Sequence, residues 1–313
     1  MQIGNLAAID LGTNSCRLLI TSGKGYSIYR KTTTTKLGEG LHAAGKFSDE
    51  ALKRGLTCLA EYADIMRDYE VMDYKAIATA SCRMAKNGAD FVKSVEELCG
   101  LRLNIVSARE EALLNVKGAR LNAKKDAEYV VVYDLGGGST EITLATNTDN
   151  PKIVYTVSIP WGARNATEAF DLREYNEENA DKLKKEVQKY TSEFLKNSDF
   201  EKYRKKCDFL ATSSTPLRLV SMSHELGNYN RYNADGMAEN TTELDKQIQL
   251  IQNMDYAQMS ACPYIGENRA MIFQAACVIF KTIYDDLQIK RLTASLKGAQ
   301  EAIINDLVRK WQI

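Results

Sequence analysis

The sequence predicts an α/β protein built as two copies of one plan, and three observations lead there. The first is an internal repeat: residues 7–20 (AAIDLGTNSCRLLI) superimpose without gaps on residues 131–144 (VVYDLGGGSTEITL), with Asp, Leu, Gly and Ser coinciding. Their separation of 124 residues is too long for a solenoid repeat and matches the size of one domain, so each of two domains is expected to present one such loop. The second is the β-branched run Val130, Val131 and Val132, bounded by turn residues, which suits a buried strand delivering Asp134 to its end. The third is that strand-rich stretches in each half give way to segments of helical periodicity.

In the first half, residues 16–20 read as a second strand, and Gly23-Lys24-Gly25 as the turn into a third over 26–34. Ser48 is placed to cap a helix with Asp49 and Glu50 in its first turn and a buried stripe of Leu52, Leu56, Leu59, Ala63 and Met66. Residues 75–80 return as a strand with Ser81, Cys82 and Arg83 just beyond it, at the edge where open α/β sheets bind ligands. A helix over 89–99 stops at Gly100, which suits a left-handed cap, and 101–106 is a strand. Ser107 and Glu110 have the spacing of a capping box, which accounts for Glu110 structurally. Glu111 points about 100° further round the helix, has no such explanation, and is a candidate for chemistry. The polar, basic stretch 117–126 sets the division between domains at 126.

The second half, 127–297, repeats the plan with strands over 129–133, 141–145 and 153–159. A helix over 176–197 carries Leu183, Val187, Tyr190 and Phe194 on one face. Residues 182–206 hold nine Lys or Arg against four Asp or Glu, which is either a solvated helix face or a surface that guides an anionic chain. After a strand over 207–211, Thr212-Ser213-Ser214-Thr215-Pro216 is a hydroxyl-rich turn with Pro216 at the first position of the next helix, a setting that favours phosphate. Residues 228–240 read as a loop, and Thr242 with Asp245 opens a helix to 254. A long apolar helix begins at Arg269, 290–294 is a strand, and a closing helix near 298–313 is expected to pack back onto the first domain.

Composition narrows the function classes. Lys plus Arg equals Asp plus Glu at 41 each, so no global field draws the chain to nucleic acid or to a membrane. Seven cysteines without a C-x-x-C pair argue against both a disulfide framework and a zinc cluster, which suits a reducing cytoplasmic location. The start MQIGNLAAIDLG has no basic run, and no stretch approaches the length of a membrane span, so neither a signal peptide nor a span is expected. His42 and His224 lack metal-ligand spacing and are expected at the surface.

The loops themselves suggest a phosphate grip. Gly136, Gly137 and Gly138 carry no Cβ, so the backbone can turn tightly and bring its N–H groups against an anion. The structural alternative, a plain hairpin turn, is weakened because Asp10, Gly12 and Ser15 repeat the pattern.

These residues resemble the Ppx/GppA family of exopolyphosphatases and guanosine pentaphosphate phosphohydrolases, within the actin, sugar kinase and Hsp70 superfamily. The resemblance runs along nearly the whole chain: residues 10–17 (DLGTNSCR), 37–41 (LGEGL), 78–83 (ATASCR), 110–112 (EEA), 134–141 (DLGGGSTE) and 160–162 (PWG). It implies two actin-like (ribonuclease H-like) domains with a cleft between them, in the short form without further C-terminal domains. It also implies hydrolysis of terminal phosphoanhydrides with Mg2+, acting on inorganic polyphosphate or guanosine penta- or tetraphosphate, and it allows a homodimer. By the same resemblance Glu111 is the general base that activates water, Arg83 holds the scissile phosphate, and Asp134 and Glu141 hold Mg2+ or orient water. Asp10, Gly12, Thr13, Asn14, Ser15 and Arg17 would bind phosphate from the first loop. Gly136, Gly137, Gly138 and Ser139 would do so from the second, joined by Ser214, Thr215 and Arg269.

Two departures bear on turnover. The family's Gly-Gly-Thr is Ser213-Ser214-Thr215 here, and its Ser-Asp-x-Gly-Leu-Arg-Glu-Gly is Ser295-Leu296-Lys297-Gly298-Ala299-Gln300-Glu301-Ala302. They motivate a second hypothesis, a polyphosphate- or nucleotide-binding protein without catalysis. A kinase on the same fold is a third, since fold alone does not give function.

Overall fold

The computed structural model describes residues 4–312. By packing the chain divides into two compact units, one of residues 1–114 with 299–313 and the other of residues 115–298.

The first unit is built on a five-stranded sheet. Its strands are β1 (Asn5–Leu11), β2 (Cys16–Thr21), β3 (Ser27–Thr33), β4 (Val71–Ala78) and β5 (Leu103–Ile105), in the order β3-β2-β1-β4-β5. β1 pairs antiparallel with β2 and parallel with β4, so the loops that follow β1 and β4 leave from the same edge. The helices are α1 (Leu41–Ala44), α2 (Asp49–Asp68), α3 (Ala80–Met84), α4 (Gly88–Cys99) and α5 (Ala108–Ala119). β1 is apolar on both sides because both faces of the sheet are covered. Ala7, Ile9 and Leu11 join the cluster of α2 and α4, while Leu6 and Ala8 join Ile303, Ile304 and Leu307 of the chain's last helix.

The second unit repeats this around a six-stranded sheet, β10-β11-β9-β6-β7-β8. Its strands are β6 (Tyr129–Leu135), β7 (Thr140–Thr146), β8 (Ile153–Ile159), β9 (Cys207–Thr212), β10 (Ala238–Asn240) and β11 (Arg291–Ser295). The helices are α6 (Ala163–Phe170), α7 (Glu177–Asn197), α8 (Ser214–Ser223), α9 (Arg231–Ala234), α10 (Thr241–Gln252), α11 (Tyr256–Ala261) and α12 (Glu267–Asp286). α13 (Ala299–Gln312) groups with the first unit. β6 begins and ends 124 residues after β1, and it pairs antiparallel with β7 and parallel with β9 just as β1 pairs with β2 and β4. The repeat in the sequence is thus a repeat of hairpin and register.

Local chemistry explains most boundaries. Ser48 caps α2 by accepting the Ala51 N–H at 3.2 Å, and Gly100 ends α4 at φ 75°. At the start of α5, the Ser107 N–H donates to Glu110 Oε2 at 2.9 Å and the Glu110 N–H donates to Ser107 Oγ at 3.2 Å, the reciprocal box expected from the spacing. The backbone and hydroxyl donors of Ser107 hold the Glu110 carboxyl below its ordinary range.

Several expectations need correction. The buried stripe of α2 runs through Ala51, Gly55, Cys58, Leu59, Tyr62, Ala63 and Met66, whereas Leu52 and Leu56 lie partly exposed one step round the helix. Residues 115–126 group with the second unit, where the sequence set the division at 126. α5 runs unbroken across residues 114 and 115, and its Val116 and Ala119 pack on Val130, Val132 and Leu210. Pro216 is the third residue of α8, because the chain is already helical from Ser214. Residues 228–240 contain α9 and β10, and α10 begins at Thr241. Asp245 lies within α10, where it accepts from Tyr284 Oη at 2.6 Å and pairs with Lys281. The basic stretch 182–206 is largely a paired solvent face, with Lys182–Glu178 at 2.7 Å, Lys189–Glu186 at 2.6 Å, Lys202–Asp199 at 2.6 Å and Arg204–Glu201. All seven cysteines are free, and His42 and His224 are exposed.

Candidate active site

In the first unit, the turn between β1 and β2 closes with the Gly12 N–H donating to Ser15 O at 3.0 Å. Thr13, Asn14 and Ser15 are buried in it. Their carbonyls are taken up from behind: the Gly38 N–H donates to Thr13 O at 2.8 Å and the Lys36 N–H to Asn14 O at 3.0 Å. A Cβ on Gly38 would collide with Thr13 Cγ2, which is why the 37–41 segment needs a glycine there. Asp10 and Arg17 face each other in register, with Arg17 Nη1 3.2 Å from Asp10 Oδ2.

The same unit places Arg83 on α3 and Glu111 on α5. Glu111 is only 7% exposed, and Arg83 Nη1 donates to its Oε2 at 2.6 Å. Arg83 Nη1 also donates to Val106 O at 2.9 Å, which anchors the guanidinium. α3 is joined to the end of β1 through the Thr79 N–H, which donates to Leu11 O at 3.1 Å. Cys82, beside Arg83, is no thiolate nucleophile: burial pushes its thiol up to about 12.

In the second unit, the turn between β6 and β7 closes in the same manner, the Gly136 N–H donating to Ser139 O at 3.0 Å. Its carbonyls are again occupied from behind. Gly136 O accepts the Ala163 N–H at 2.9 Å, Gly137 O accepts the Arg164 N–H at 2.8 Å, and Gly138 O accepts Asn165 Nδ2 at 2.9 Å. With the carbonyls tied back by the first turn of α6, the N–H groups of Gly137, Gly138 and Ser139 are the polar groups left to meet an anion, and none has a protein acceptor among the described residues.

Asp134 and Glu141 face each other across the hairpin, and each offers a carboxylate oxygen within 4.8 Å of the other. Each is held by neutral donors. Asn115 Nδ2 donates to Asp134 Oδ2 at 2.6 Å and Thr212 Oγ1 to its Oδ1 at 2.7 Å. Ser139 Oγ and Ser158 Oγ donate to Glu141 Oε1 at 2.8 and 3.0 Å. Two adjacent carboxylates with hard oxygens suit Mg2+, which takes one or two carboxylates together with substrate phosphates.

Ser214 and buried Thr215 stand in the first turn of α8, behind Ser213. Ser213 has φ 90° and ψ −176°, a region open essentially to glycine, although the residue is serine. Its Oγ is buried with no hydrogen-bond partner among the described residues. Ser213→Gly is therefore expected to raise stability by about 1–3 kcal/mol, as relief of backbone strain, read from the urea midpoint. Arg269 stands in the first turn of α12; the loop before it is fixed by Arg218, whose Nη1 donates to Tyr264 O at 2.5 Å and Ile265 O at 2.7 Å while its guanidinium lies 3.8 Å over Tyr229. Gln300, which replaces the family's arginine, is buried and donates from Nε2 to Ala8 O at 3.0 Å.

Sequence reasoning missed Asn115, Ser158 and Asn165, which hold the two acidic residues and the glycine turn, and it named Thr212 only as part of a hydroxyl-rich turn, not as the partner of Asp134. Asn165 alone had a signal, since it lies three residues after the glycine of Pro160-Trp161-Gly162.

The family model described as the Ppx/GppA phosphatase family matches residues 19–311. The chain belongs to that family. A relative from Fusobacterium nucleatum, described as a bifunctional 3-dehydroquinate synthase/phosphatase, is 28% identical over 295 residues. That match covers 89% of this chain, and the chain spans 43% of the relative's length. Among solved structures, an exopolyphosphatase-like protein matches with a TM-score of 0.88 at 23% identity, covering 98% of this chain and 99% of the other. An exopolyphosphatase from Cytophaga hutchinsonii matches with a TM-score of 0.88 at 17% identity, covering 98% of both chains. The Aquifex aeolicus family member gives 0.79 at 21%, again over 98% of both. These likenesses show the fold, an α/β architecture with two sheets. No helix among the described residues is long and apolar enough to cross a membrane.

Proposed function

We propose that this chain is a phosphohydrolase that releases terminal orthophosphate from inorganic polyphosphate, with guanosine pentaphosphate as the alternative substrate. The observation that carries the reading is the Arg83–Glu111 pair, a buried carboxylate 2.6 Å from an anchored guanidinium. A carboxylate base and a cationic clamp are two of the parts that phosphoryl transfer needs, because its catalysis is chiefly positioning and charge neutralisation.

In this reading Arg83 neutralises the terminal phosphoryl group and Glu111 takes the proton of the water that attacks it. The bridging oxygen leaves with the electron pair of the broken P–O bond. Backbone N–H groups of Thr13 to Ser15 and of Gly137 to Ser139 hold phosphate oxygens, and Arg17, Ser214, Thr215 and Arg269 contact the rest of the chain. Asp134 and Glu141 would hold Mg2+, which when bound supplies charge neutralisation at the phosphate oxygens. Membership of a phosphatase family supports the reaction class, and the names of the structural neighbours support polyphosphate as substrate. The strained Ser213 supports retained turnover over a binding-only protein, because the backbone there still takes the shape that a glycine would give.

The test is orthophosphate release from polyphosphate, guanosine pentaphosphate and a nucleoside triphosphate, each with Mg2+. Release is expected, fastest from polyphosphate. Binding without release on all three would establish the non-catalytic alternative, and a phosphorylated acceptor formed only with ATP would establish a kinase.

A further inference from the structure

We propose that Asn115 is a positioning residue that fixes the Asp134 carboxylate for a divalent cation. The proposal rests on the reading of Asp134 as a metal-holding residue. Asn115 is buried, and its amide can face a carboxylate only with Nδ2, since Oδ1 would set two acceptors against each other. The 2.6 Å bond to Oδ2 and the 2.7 Å bond from Thr212 to Oδ1 pin the carboxylate at both oxygens. Each carboxylate oxygen has two lone-pair sites, so one on each stays open to a ligand.

The chemistry of the donor matters as much as its place. A lysine or arginine in this position would pin Asp134 equally well and would also cancel its charge; an amide orients the carboxylate and leaves the full negative charge for a cation. Position adds a second role. Asn115 lies four residues after Glu111 on the continuous helix α5, so both project from one face of it. The helix that carries the proposed base therefore also carries the residue that orients Asp134, and a shift of α5 would disturb both.

The experiment is Mn2+ binding to the full chain without substrate, followed by the EPR signal of free Mn2+, for wild type, Asn115→Leu and Asp134→Asn. Asn115→Leu, of similar volume, is expected to weaken Mn2+ binding about 10–100-fold, the range for lost outer-shell partners. In phosphate release the same variant should need correspondingly more Mg2+ for half-maximal rate while approaching the wild-type rate at saturation, a rescue that a misfolded variant would not give. Wild-type Mn2+ affinity in Asn115→Leu, with binding lost in Asp134→Asn, would overturn the proposal alone. Wild-type affinity in both would overturn the metal role of Asp134 itself. Should Asn115→Leu not fold, Asn115→Ser, whose hydroxyl is too short to reach Asp134, makes the same comparison.

Discussion

Replacing Glu111 by glutamine is expected to lower the rate of orthophosphate release about 10²–10⁴-fold, the usual contribution of a positioned general base. The substitution keeps size and shape, and the glutamine carbonyl can still accept from Arg83, so the fold should survive. The loss should therefore fall on kcat, with KM for polyphosphate little changed, because only the capacity to take a proton is removed. Glu110 is the internal control. It is exposed and spends its carboxylate on the N–H and hydroxyl of Ser107, so Glu110→Gln should leave the rate unchanged and lower the thermal midpoint slightly. That stabilising contribution has a definite pH sign. A carboxyl held below its ordinary range in the folded state stabilises fully above its unfolded value and loses the effect as pH falls through its folded one. Equal rates for wild type and Glu111→Gln would remove Glu111 from the chemistry.

The second large effect is expected at Gly162. A Cβ added there would sit 2.6 Å from Gly137 C and Gly138 N and 2.7 Å from Gly136 O, all backbone of the glycine turn. No side chain can swing aside to relieve this, so Gly162→Ala must push the turn or the start of α6 out of place, at a cost of about 1–3 kcal/mol. If the N–H groups of that turn hold phosphate, KM should rise at least tenfold while Glu111 and Arg83, in the other unit, keep their contact. Rate measurements across polyphosphate concentration, paired with urea unfolding, separate the two effects. A destabilised variant with an unchanged KM would show that the turn does not contact substrate.

What could be read from the sequence was what short-range patterns encode. The second hairpin followed from a β-branched run ending in Asp-Leu-Gly, the first from its repeat of Asp-Leu-Gly, and the α5 cap from the Ser107–Glu110 spacing, because each pattern is settled within a few residues. The partners of the acidic residues were not legible, since Thr212 reaches Asp134 across 78 positions and only sheet pairing brings them together. Asn115 was hidden for another reason: it lies just before the polar stretch 117–126, and its partner Asp134 stands 19 positions away with no local pattern to join them. Pro216 shows a local rule giving way, because the helix starts earlier through a backbone shape that serine rarely adopts. α11 was missed although its signal was present: Asp255 and Gln258 form a capping box that the spacing alone would have disclosed.

The matched hairpins also record a division of labour. At the same register position one copy sets Asp10 against Arg17 and the other sets Asp134 against Glu141. The first pair joins opposite charges, whereas the second sets two carboxylates side by side, the arrangement that the proposed function assigns to Mg2+. If both halves descend from one ancestral hairpin, a change of sign at a single side chain was enough to break the symmetry of the pair. Under the proposed function, that one change separates a hairpin that cradles phosphate from a hairpin that recruits the cation.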